Sequence, residues 1–192
     1  TLTFSSGNWS TSQVITLTGV DDNVSDGSQS TLLTLTPSSS GDSKYNSSSL
    51  AQSLTTVTTD NDTVGLVLSK TTATLSESGT TDNFSVVLTS EPTDNVTVTV
   101  GDNDSTEVSA SPTTLTFSPG DWSTVQWVTL NGKDDNVSDD NQSVLLTMTP
   151  SSSGDSKYHN IFLSKNLNVT TSDNDTVGLL VSRDNVTVDE RN

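Results

Sequence analysis

Apolar and polar residues alternate along the central part of the chain with a period of two. Phe84, Val86 and Leu88 fall on one face of such a segment. The same alternation recurs in five more segments, at Val96/Val98/Val100, Leu115/Phe117, Val128/Leu130, Leu146/Met148 and Leu167/Val169. Strict alternation over short segments is typical of half-buried β-strands. Turn-forming clusters such as EPTDN, SPGDW and KDDNVSDDN separate the segments. No stretch of the sequence shows a sustained helical period. The pattern predicts an all-β protein.

The chain also repeats itself. When Thr1 is placed on Thr114, the two copies align without gaps to the C-terminus, and more than half of the aligned pairs are identical. TLTFSSGNWS at Thr1 returns as TLTFSPGDWS at Thr114, and DNDTVGL at Asp60 returns at Asp173. Such self-similarity indicates a tandem array. The period exceeds the roughly 20–50 residues of a solenoid unit and suits an independently folding sandwich.

The register of the repeat divides the chain into three parts. Residues 63–175 make one complete unit, residues 1–62 are the C-terminal part of a preceding unit, and residues 176–192 begin a third. The first part keeps its inward positions apolar, at Ile15, Leu17, Leu33, Leu35 and Leu54. With about seven strands per unit, we expect tandem antiparallel β-sandwiches of immunoglobulin-like type. Because both ends fall inside a unit, we expect the parent protein to continue on both sides.

The composition is unusually polar for a folded protein. Apolar residues make up 29% of the chain, while Ser and Thr are equally frequent and together make up about a third of it. An average soluble domain has roughly 45–50% apolar residues. Thr favours strands and Ser favours turns, so this polarity is compatible with a sheet protein that has a thin core. The alternation therefore favours an ordered sandwich over a disordered chain.

Charge and residue usage exclude several classes of function. The net charge of -17 would repel a phosphate backbone, so we expect no nucleic acid partner. Cysteine is absent, and no run of about 20 apolar residues is present to span a bilayer. The single histidine, His159, is replaced by Asn46 in the first copy. Without a repeated general base we expect no enzyme.

The acidic residues are concentrated in turn segments that recur in both copies. Calcium takes six to eight oxygen ligands, and two acidic segments from different loops would supply them at one end of a sandwich. The spacing does not fit an EF-hand, and turns also select Asp for conformational reasons, so both interpretations stay open. The candidate metal ligands from the repeat are Asp21, Asp22, Asp26, Asp60 and Asp62 in the first copy, and Asp134, Asp135, Asp139, Asp173 and Asp175 in the second.

The order of TLTF, QVITLTGVDDNVSDGSQ and a closing DND resembles Calx-beta-type repeats, particularly those of large microbial surface proteins. The resemblance covers nearly the whole chain. It implies an immunoglobulin-like sandwich in tandem, often with calcium between the acidic loops and the unit end. Where a second loop glutamate is common in the family, Gln142 and Gln29 stand here, which loses a charge. The matching ligand positions are Glu77, Asp134, Asp135, Asp139, Asp173 and Asp175.

The chain contains twelve N-x-Ser/Thr sequons. Roughly five are expected by chance at this Ser and Thr content. The alternative is that Asn, Ser and Thr cluster in turns for structural reasons. Our candidates for N-glycosylation are Asn23 and Asn136 above all, together with Asn61, Asn174, Asn95 and Asn185.

We expect a non-enzymatic structural repeat of an extracellular, cell-surface protein. Its units would form an extended rod, adhesin stalk or filament, with calcium stiffening the junctions. The partners would be neighbouring repeats of the same protein, and units would also assemble laterally in a filament. The alternative is a calcium-responsive hinge or a module that binds carbohydrate or protein, for which the outward-facing Trp127 is the contact candidate. Trp9 and Trp122 are expected to cover the sandwich edge, and Tyr45 and Tyr158 to pin a crossover loop.

Overall fold

The structure, a computed structural model, describes residues 1–102, 104–182 and 185–190. It divides the chain into two compact units, Thr1–Asp62 and Thr63–Asn192. The second unit contains a two-sheet sandwich, and the first contains a single hairpin with irregular segments around it.

Nine strands build the sandwich of the second unit. In chain order they are β3 (Leu66–Leu68), β4 (Thr72–Ser76), β5 (Thr81–Leu88), β6 (Val96–Asp102), β7 (Val108–Ser111), β8 (Thr114–Phe117), β9 (Gln126–Gly132), β10 (Gln142–Ser151) and β11 (Lys165–Ser172). They form a five-stranded sheet of order β4-β11-β10-β6-β8 and a four-stranded sheet of order β3-β5-β9-β7. A 3-10 turn at Ile161–Leu163 precedes β11.

The core lies between the two sheets and is made by the alternating residues. All the apolar positions of the six alternating segments are buried, and Phe84, Phe117, Leu130 and Leu146 are completely inaccessible to solvent or nearly so. Successive side chains of a strand point to opposite faces, so one face of each strand fills the core while Thr and Ser face solvent. The predicted class, an all-β sandwich of immunoglobulin-like type, is confirmed.

One strand pair departs from the antiparallel pattern. β4 lies at the edge of the five-stranded sheet and runs parallel to β11, with Ser76 beside Ser172. The other paired strands of the sandwich are antiparallel. A parallel pair needs a long connection, and here the β4–β11 pair joins the beginning of the repeat unit to its end.

The first unit has fewer strands than its repeat counterpart. β1 (Gln29–Leu35) and β2 (Gln52–Thr58) form an antiparallel hairpin, with 3-10 turns at Ser43–Tyr45 and Ser48–Leu50. Residues 1–28, whose copies form β8 and β9 in the sandwich, contain no strand. Phe4 is 55% exposed, whereas its counterpart Phe117 is buried. In the sandwich β8 pairs with β6, and β9 with β5 and β7, and residues 1–62 contain no copy of these partners.

Candidate metal centre

The parallel β4–β11 pair brings two acidic segments together at one end of the sandwich. Glu77 follows β4 directly and Asp173 follows β11 directly. Since parallel strands end at the same edge of a sheet, the residues after them become neighbours. The Glu77 backbone N–H donates to the carbonyl oxygen of Ser172 at 3.2 Å. The Asn174 backbone N–H in turn donates to Glu77 Oε2 at 3.3 Å.

Three carboxylates meet at this point. One oxygen each of Glu77, Asp173 and Asp175 lie within 4.8 Å of one another. Glu77 is only 1% exposed, and the two aspartates are half-buried. Among the described residues, no Lys or Arg forms an ion pair with any of the three. Such a group of close, uncompensated carboxylates has the chemistry of a site for a hard divalent cation.

The loop between β9 and β10 is hydrogen-bonded to Asp173. The backbone N–H groups of Asp139 and Asp140 both donate to Asp173 Oδ2, at 3.1 and 3.0 Å. The side-chain amide of Asn174 donates to Asp134 Oδ1 at 3.1 Å. These bonds hold the predicted loop residues next to the unit end, while Oδ1 of Asp173 accepts from the Asp175 N–H at 2.6 Å.

Asp135 lies in the same loop, but its hydrogen bond is local. Its Oδ1 accepts from the Val137 backbone N–H at 2.7 Å, which is the bond expected of a turn-forming Asp. The side chain of Gln142 donates to the carbonyl oxygens of Asp139 and Asp140, at 2.7 and 3.4 Å. Gln142 therefore fastens the loop.

Glu107, a residue that the repeat did not mark, adds a further carboxylate to this end of the sandwich. It precedes β7 and is 4% exposed, and its Oε2 is buried without a hydrogen-bond partner. Burial raises the pKa of Glu107, and the charges of Asp139 and Glu77 raise it further. The sequence signal was weak, because the part of the chain that Glu107 belongs to has no second copy among residues 1–62.

Burial and mutual repulsion raise the pKa values of carboxylates in the cluster. Burial raises the pKa of Glu77; the hydrogen bond from Asn174 opposes this shift, and the charge of Asp173 adds to it. Burial likewise raises the pKa of Asp175, followed by the charges of Asp173 and Asp134. Asp175 Oδ2 is buried without a hydrogen-bond partner. Buried carboxylate oxygens with no donor are unfavourable unless something positive faces them.

The first unit builds the same loop arrangement from its own copies. The Gly27 N–H donates to Asp60 Oδ2 at 2.6 Å, and the Asp62 N–H donates to Asp60 Oδ1 at 2.8 Å. Asp22 Oδ1 accepts from the Val24 N–H at 2.9 Å, and the Asp26 carbonyl accepts from the Gln29 side chain. Burial raises the pKa of Asp62, as do Asp60, Asp21 and Asp22. Residues 1–62 contain no counterpart of Glu77.

Most of the remaining predicted residues are exposed to solvent. The six candidate glycosylation sites, Asn23, Asn61, Asn95, Asn136, Asn174 and Asn185, lie at least partly exposed, and the sequon at Asn103 lies outside the described residues. Tyr158 is buried and its hydroxyl donates to the Ser90 carbonyl at 2.7 Å, whereas Tyr45 is exposed. Trp122 packs against the core, and Trp9 and Trp127 are exposed. His159 is exposed as well.

No protein-family model and no curated protein sequence matches this chain. Similar solved structures include the apo form of the Calx CBD1 domain, at 15% identity and a TM-score of 0.40, over 57% of this chain and 98% of that one. SSP-19, an MSP-domain protein of Caenorhabditis elegans, is 10% identical at a TM-score of 0.40, over 55% and 98%. The E. coli chaperone DraB is 7% identical at 0.42, over 56% and 54%. Likenesses this distant concern the fold alone.

No helix among the described residues is long and apolar enough to cross a membrane.

Proposed function

We propose that residues 63–175 form a calcium-binding structural repeat of Calx-beta-like kind, in which the ion ties the beginning of the unit to its end. The observation that carries this proposal is the meeting of Glu77, Asp173 and Asp175, with ligand oxygens within 4.8 Å. These three carboxylates follow the two strands of the parallel pair. A cation between them would therefore join segments that lie almost a whole unit apart in sequence.

The unpartnered oxygens support the presence of an ion. Glu107 Oε2 and Asp175 Oδ2 are both buried and accept no hydrogen bond. Leaving a buried acceptor unsatisfied costs roughly 1–3 kcal/mol, and more for a charged group. A divalent cation bound by the cluster would give Asp175 Oδ2 a partner and would offset the mutual repulsion of the carboxylates.

The ligand set favours calcium over other metals. The cluster contains only oxygen donors, which suits hard cations rather than zinc or copper. Calcium accepts six to eight oxygens in flexible geometry, whereas magnesium requires a near-ideal octahedron and retains several waters. Asp134, Asp135 and Asp139 stand in the adjoining loop as further donors, which favours the ion with the higher coordination number.

Thermal unfolding of the whole chain tests this proposal. We expect millimolar calcium to raise the unfolding temperature of the sandwich relative to EGTA, and magnesium to raise it less. Glu77→Gln should remove most of the calcium effect. Glu91→Gln is the matched control, because Glu91 follows β5 at the opposite end of the sandwich. An equal unfolding temperature in calcium and in EGTA would contradict the proposal.

The role that fits such a unit is structural and non-enzymatic. Sandwich repeats in tandem, each fastened at its junction by calcium, would form an extended rod, stalk or filament of an extracellular cell-surface protein. Neighbouring repeats of the same protein would be its partners, and exposed sequons would carry glycans there. Small-angle scattering of the chain in calcium and in EGTA measures the effect, since only a stiffened rod lengthens with calcium.

A second candidate function rests on an exposed aromatic residue. Trp127 is 58% exposed on the outer face of the four-stranded sheet, and Val67 on the same sheet is 50% exposed. Large exposed aromatics are enriched at binding sites for proteins, so the unit would serve as a binding module. Titration of tryptophan fluorescence with soluble glycans and candidate proteins tests this function. Saturable quenching that Trp127→Ser abolishes would support it.

A further inference from the structure

The outer face of the four-stranded sheet presents an exposed tryptophan among uncharged polar side chains. In the two inner strands, β5 and β9, core positions alternate with outward ones, and Asn83, Ser85, Trp127 and Thr129 belong to the outward set. Trp127 is 58% exposed. The outward positions of the four strands all lie in the described part of the chain, and none of them is charged, although the net charge is -17.

Asn83 begins a sequon and lies close to this tryptophan. The sequence Asn83-Phe84-Ser85 has the N-x-Ser/Thr pattern. Ser85 is paired with Trp127 and Asn83 with Thr129, so Asn83 and Trp127 are diagonal neighbours on one face of the sheet. Diagonal neighbours lie roughly 7–8 Å apart, which an aromatic side chain can span. The backbone N–H of Asn83 donates to a neighbouring aspartate, and its side chain is exposed.

A second sequon within a strand has no aromatic neighbour. Asn168, in β11, is exposed and begins the sequon that ends at Thr170. It is paired with Leu145 on one side and with Thr72 on the other. The diagonal neighbours in the paired parts of these two strands are serine and threonine. Asn168 is therefore a matched comparison for Asn83, because both lie in strands but only Asn83 adjoins an aromatic ring.

We propose that Asn83 carries an N-linked glycan whose first sugar ring packs against the indole of Trp127. The inference rests on the extracellular location proposed above. One face of a pyranose ring is made largely of C–H groups, which suits contact with a large aromatic surface. The polar groups at the rim of the sugar would find hydroxyl partners in Ser85 and Thr129, since a hydroxyl both donates and accepts.

The chemistry of the face favours a sugar over a charged partner. Hydroxyl and amide groups surround Trp127, and no charge lies among the outward positions of the four strands, all of which are described. A charged peptide would find no complementary group there. The covalent bond to Asn83 would also hold the sugar beside the ring, so that stacking requires no separate encounter between two molecules.

The modification is a group transfer to the side-chain amide. The donor class is an oligosaccharide linked to a polyprenyl diphosphate. The bond between C1 of its first sugar and the diphosphate oxygen breaks, and a bond forms between C1 and Nδ2 of Asn83. Nδ2 loses one proton, and the polyprenyl diphosphate leaves. The transferase of the secretory pathway recognises the sequon.

The glycan would shield the apolar part of this face. Val67 and Val125 are 50% and 47% exposed, and Val87, which is paired with Val67, is partly exposed. Contiguous exposed apolar surface promotes unwanted association, and a bulky hydrated glycan opposes it. The same glycan would occupy the surface required by the second candidate function, so Trp127 serves one role or the other.

Occupancy is tested on the full chain secreted from a eukaryotic cell line. Enzymatic release of the glycans in ¹⁸O-labelled water, followed by peptide mapping, marks each modified asparagine. We expect Asn83 to be labelled in the wild type. Asn83→Gln removes the attachment site while keeping an amide, and Thr170→Ala removes the sequon of Asn168 as the matched control.

Oxidation of the tryptophans by N-bromosuccinimide tests the stacking, with each site resolved by mass spectrometry. In secreted protein, Trp127 should be oxidised several-fold more slowly in the wild type and in Thr170→Ala than in Asn83→Gln. Trp9, which is 73% exposed, should react equally in all three proteins. In protein from a host without N-glycosylation, Trp127 of the wild type and of Asn83→Gln should react at the same rate, which controls for the substitution itself.

A double-mutant cycle gives a second measurement of the contact. The unfolding temperature of the secreted wild type should exceed that of Asn83→Gln by a few degrees. In a Trp127→Ser background the same substitution should have almost no effect, because the ring that the sugar contacts is gone. Trp127 is exposed, so we expect this variant to fold.

The outcomes separate this proposal from the function on which it rests. An unmodified Asn83 in a chain that carries glycans at other sequons would overturn this inference alone. A modified Asn83 with equal oxidation of Trp127 in the wild type and in Asn83→Gln would overturn the stacking. A secreted chain without glycans at any sequon would refute both this inference and the proposed glycosylation of the repeat, while the calcium shift of the unfolding temperature tests cation binding independently.

Discussion

A single methyl group at Gly132 should disturb both the edge strand and the candidate metal centre. The added Cβ of Gly132→Ala would lie 2.3 Å from the Ser76 oxygen and 3.0 Å from its carbonyl carbon. Favourable contacts between heavy atoms lie at about 3.5–4.0 Å, so the end of β4 must move by about 1 Å. Overpacking of this kind typically costs about 1–3 kcal/mol. The loss of backbone freedom in the unfolded alanine chain offsets about 0.4–1 kcal/mol of that cost.

The displacement has a second consequence at the carboxylates. Glu77 follows Ser76 directly, so it moves with the strand and changes its position relative to Asp173. Binding sites tolerate errors of only about 0.5 Å in the position of a ligand group. A calcium concentration about 100 times the dissociation constant stabilises a folded protein by about 2.7 kcal/mol, and the variant should lose most of this contribution.

Calorimetry in calcium and in EGTA measures the two effects separately. One kcal/mol corresponds to roughly 4–8 °C for a domain of 60–100 residues, so Gly132→Ala should melt several degrees lower in EGTA and show a much smaller calcium shift. Gly19→Ala is the matched control, because no backbone passes its Cβ position within 4 Å in the first unit. A Gly132→Ala chain that melts like the wild type, with its calcium shift intact, would refute the close approach of β4.

Buried and exposed groups carry three further predictions. Tyr158→Phe removes a buried hydroxyl bonded to the Ser90 carbonyl at 2.7 Å and should cost about 1–2 kcal/mol in urea unfolding, whereas the exposed Tyr45→Phe should cost less than about 0.5 kcal/mol. Burial raises the pKa of Glu77 and of Glu107 in the folded chain, so binding of protons stabilises the folded state. In EGTA the unfolding temperature should therefore rise as the pH falls from neutral towards about 5. In calcium the unfolding temperature should fall over the same range, because protons compete with the ion. Native material should exceed the polypeptide mass by whole glycans, and peptide mapping should locate them first at Asn23 and Asn136; a mass of 20.2 kDa would contradict this.

The sandwich itself could be predicted from the sequence because its core depends on a simple alternation. Val96, Val98 and Val100 are buried, while Thr97 and Thr99 between them face outwards to varying degrees. With few large apolar residues available, the core uses nearly every one that alternates. A pattern of period two specifies which face of a strand is buried, and that information is local.

Strand pairing depends on residues that are distant in the sequence, and the predicted pairing was incomplete. The sequence indicated antiparallel sheets, yet β4 runs parallel to β11, whose residues lie almost a full unit away. The apolar residues Ile15 and Leu17 were expected at inward positions of a sheet, yet no strand forms there. Alternation identifies a segment able to form a strand, but the strand forms only where a neighbour supplies hydrogen-bond partners.

The carboxylate cluster of the candidate metal centre likewise depends partly on local sequence and partly on residues that are distant in the chain. The repeat marked the aspartates of two loops, because each has a counterpart at the equivalent place in the other copy. Glu107 has no counterpart in residues 1–62, and nothing local distinguishes its carboxylate from a solvated one. Only the packing of β7 against β9 places it at the acidic end, where its buried oxygen lacks a donor.

These features share one physical origin, which is that the repeat unit is closed by its own first strands. β4 supplies one outer strand of the five-stranded sheet, covers Gly132 and brings Glu77 to the aspartates at the unit end. Residues 1–62, which contain no copies of β3 to β7, keep their loop bonds, as Asp60 and Asp62 show, but leave Phe4 and Leu54 exposed. Closure by this strand and the proposed binding of a cation are then coupled, because Glu77, which follows β4 directly, belongs to the carboxylate cluster.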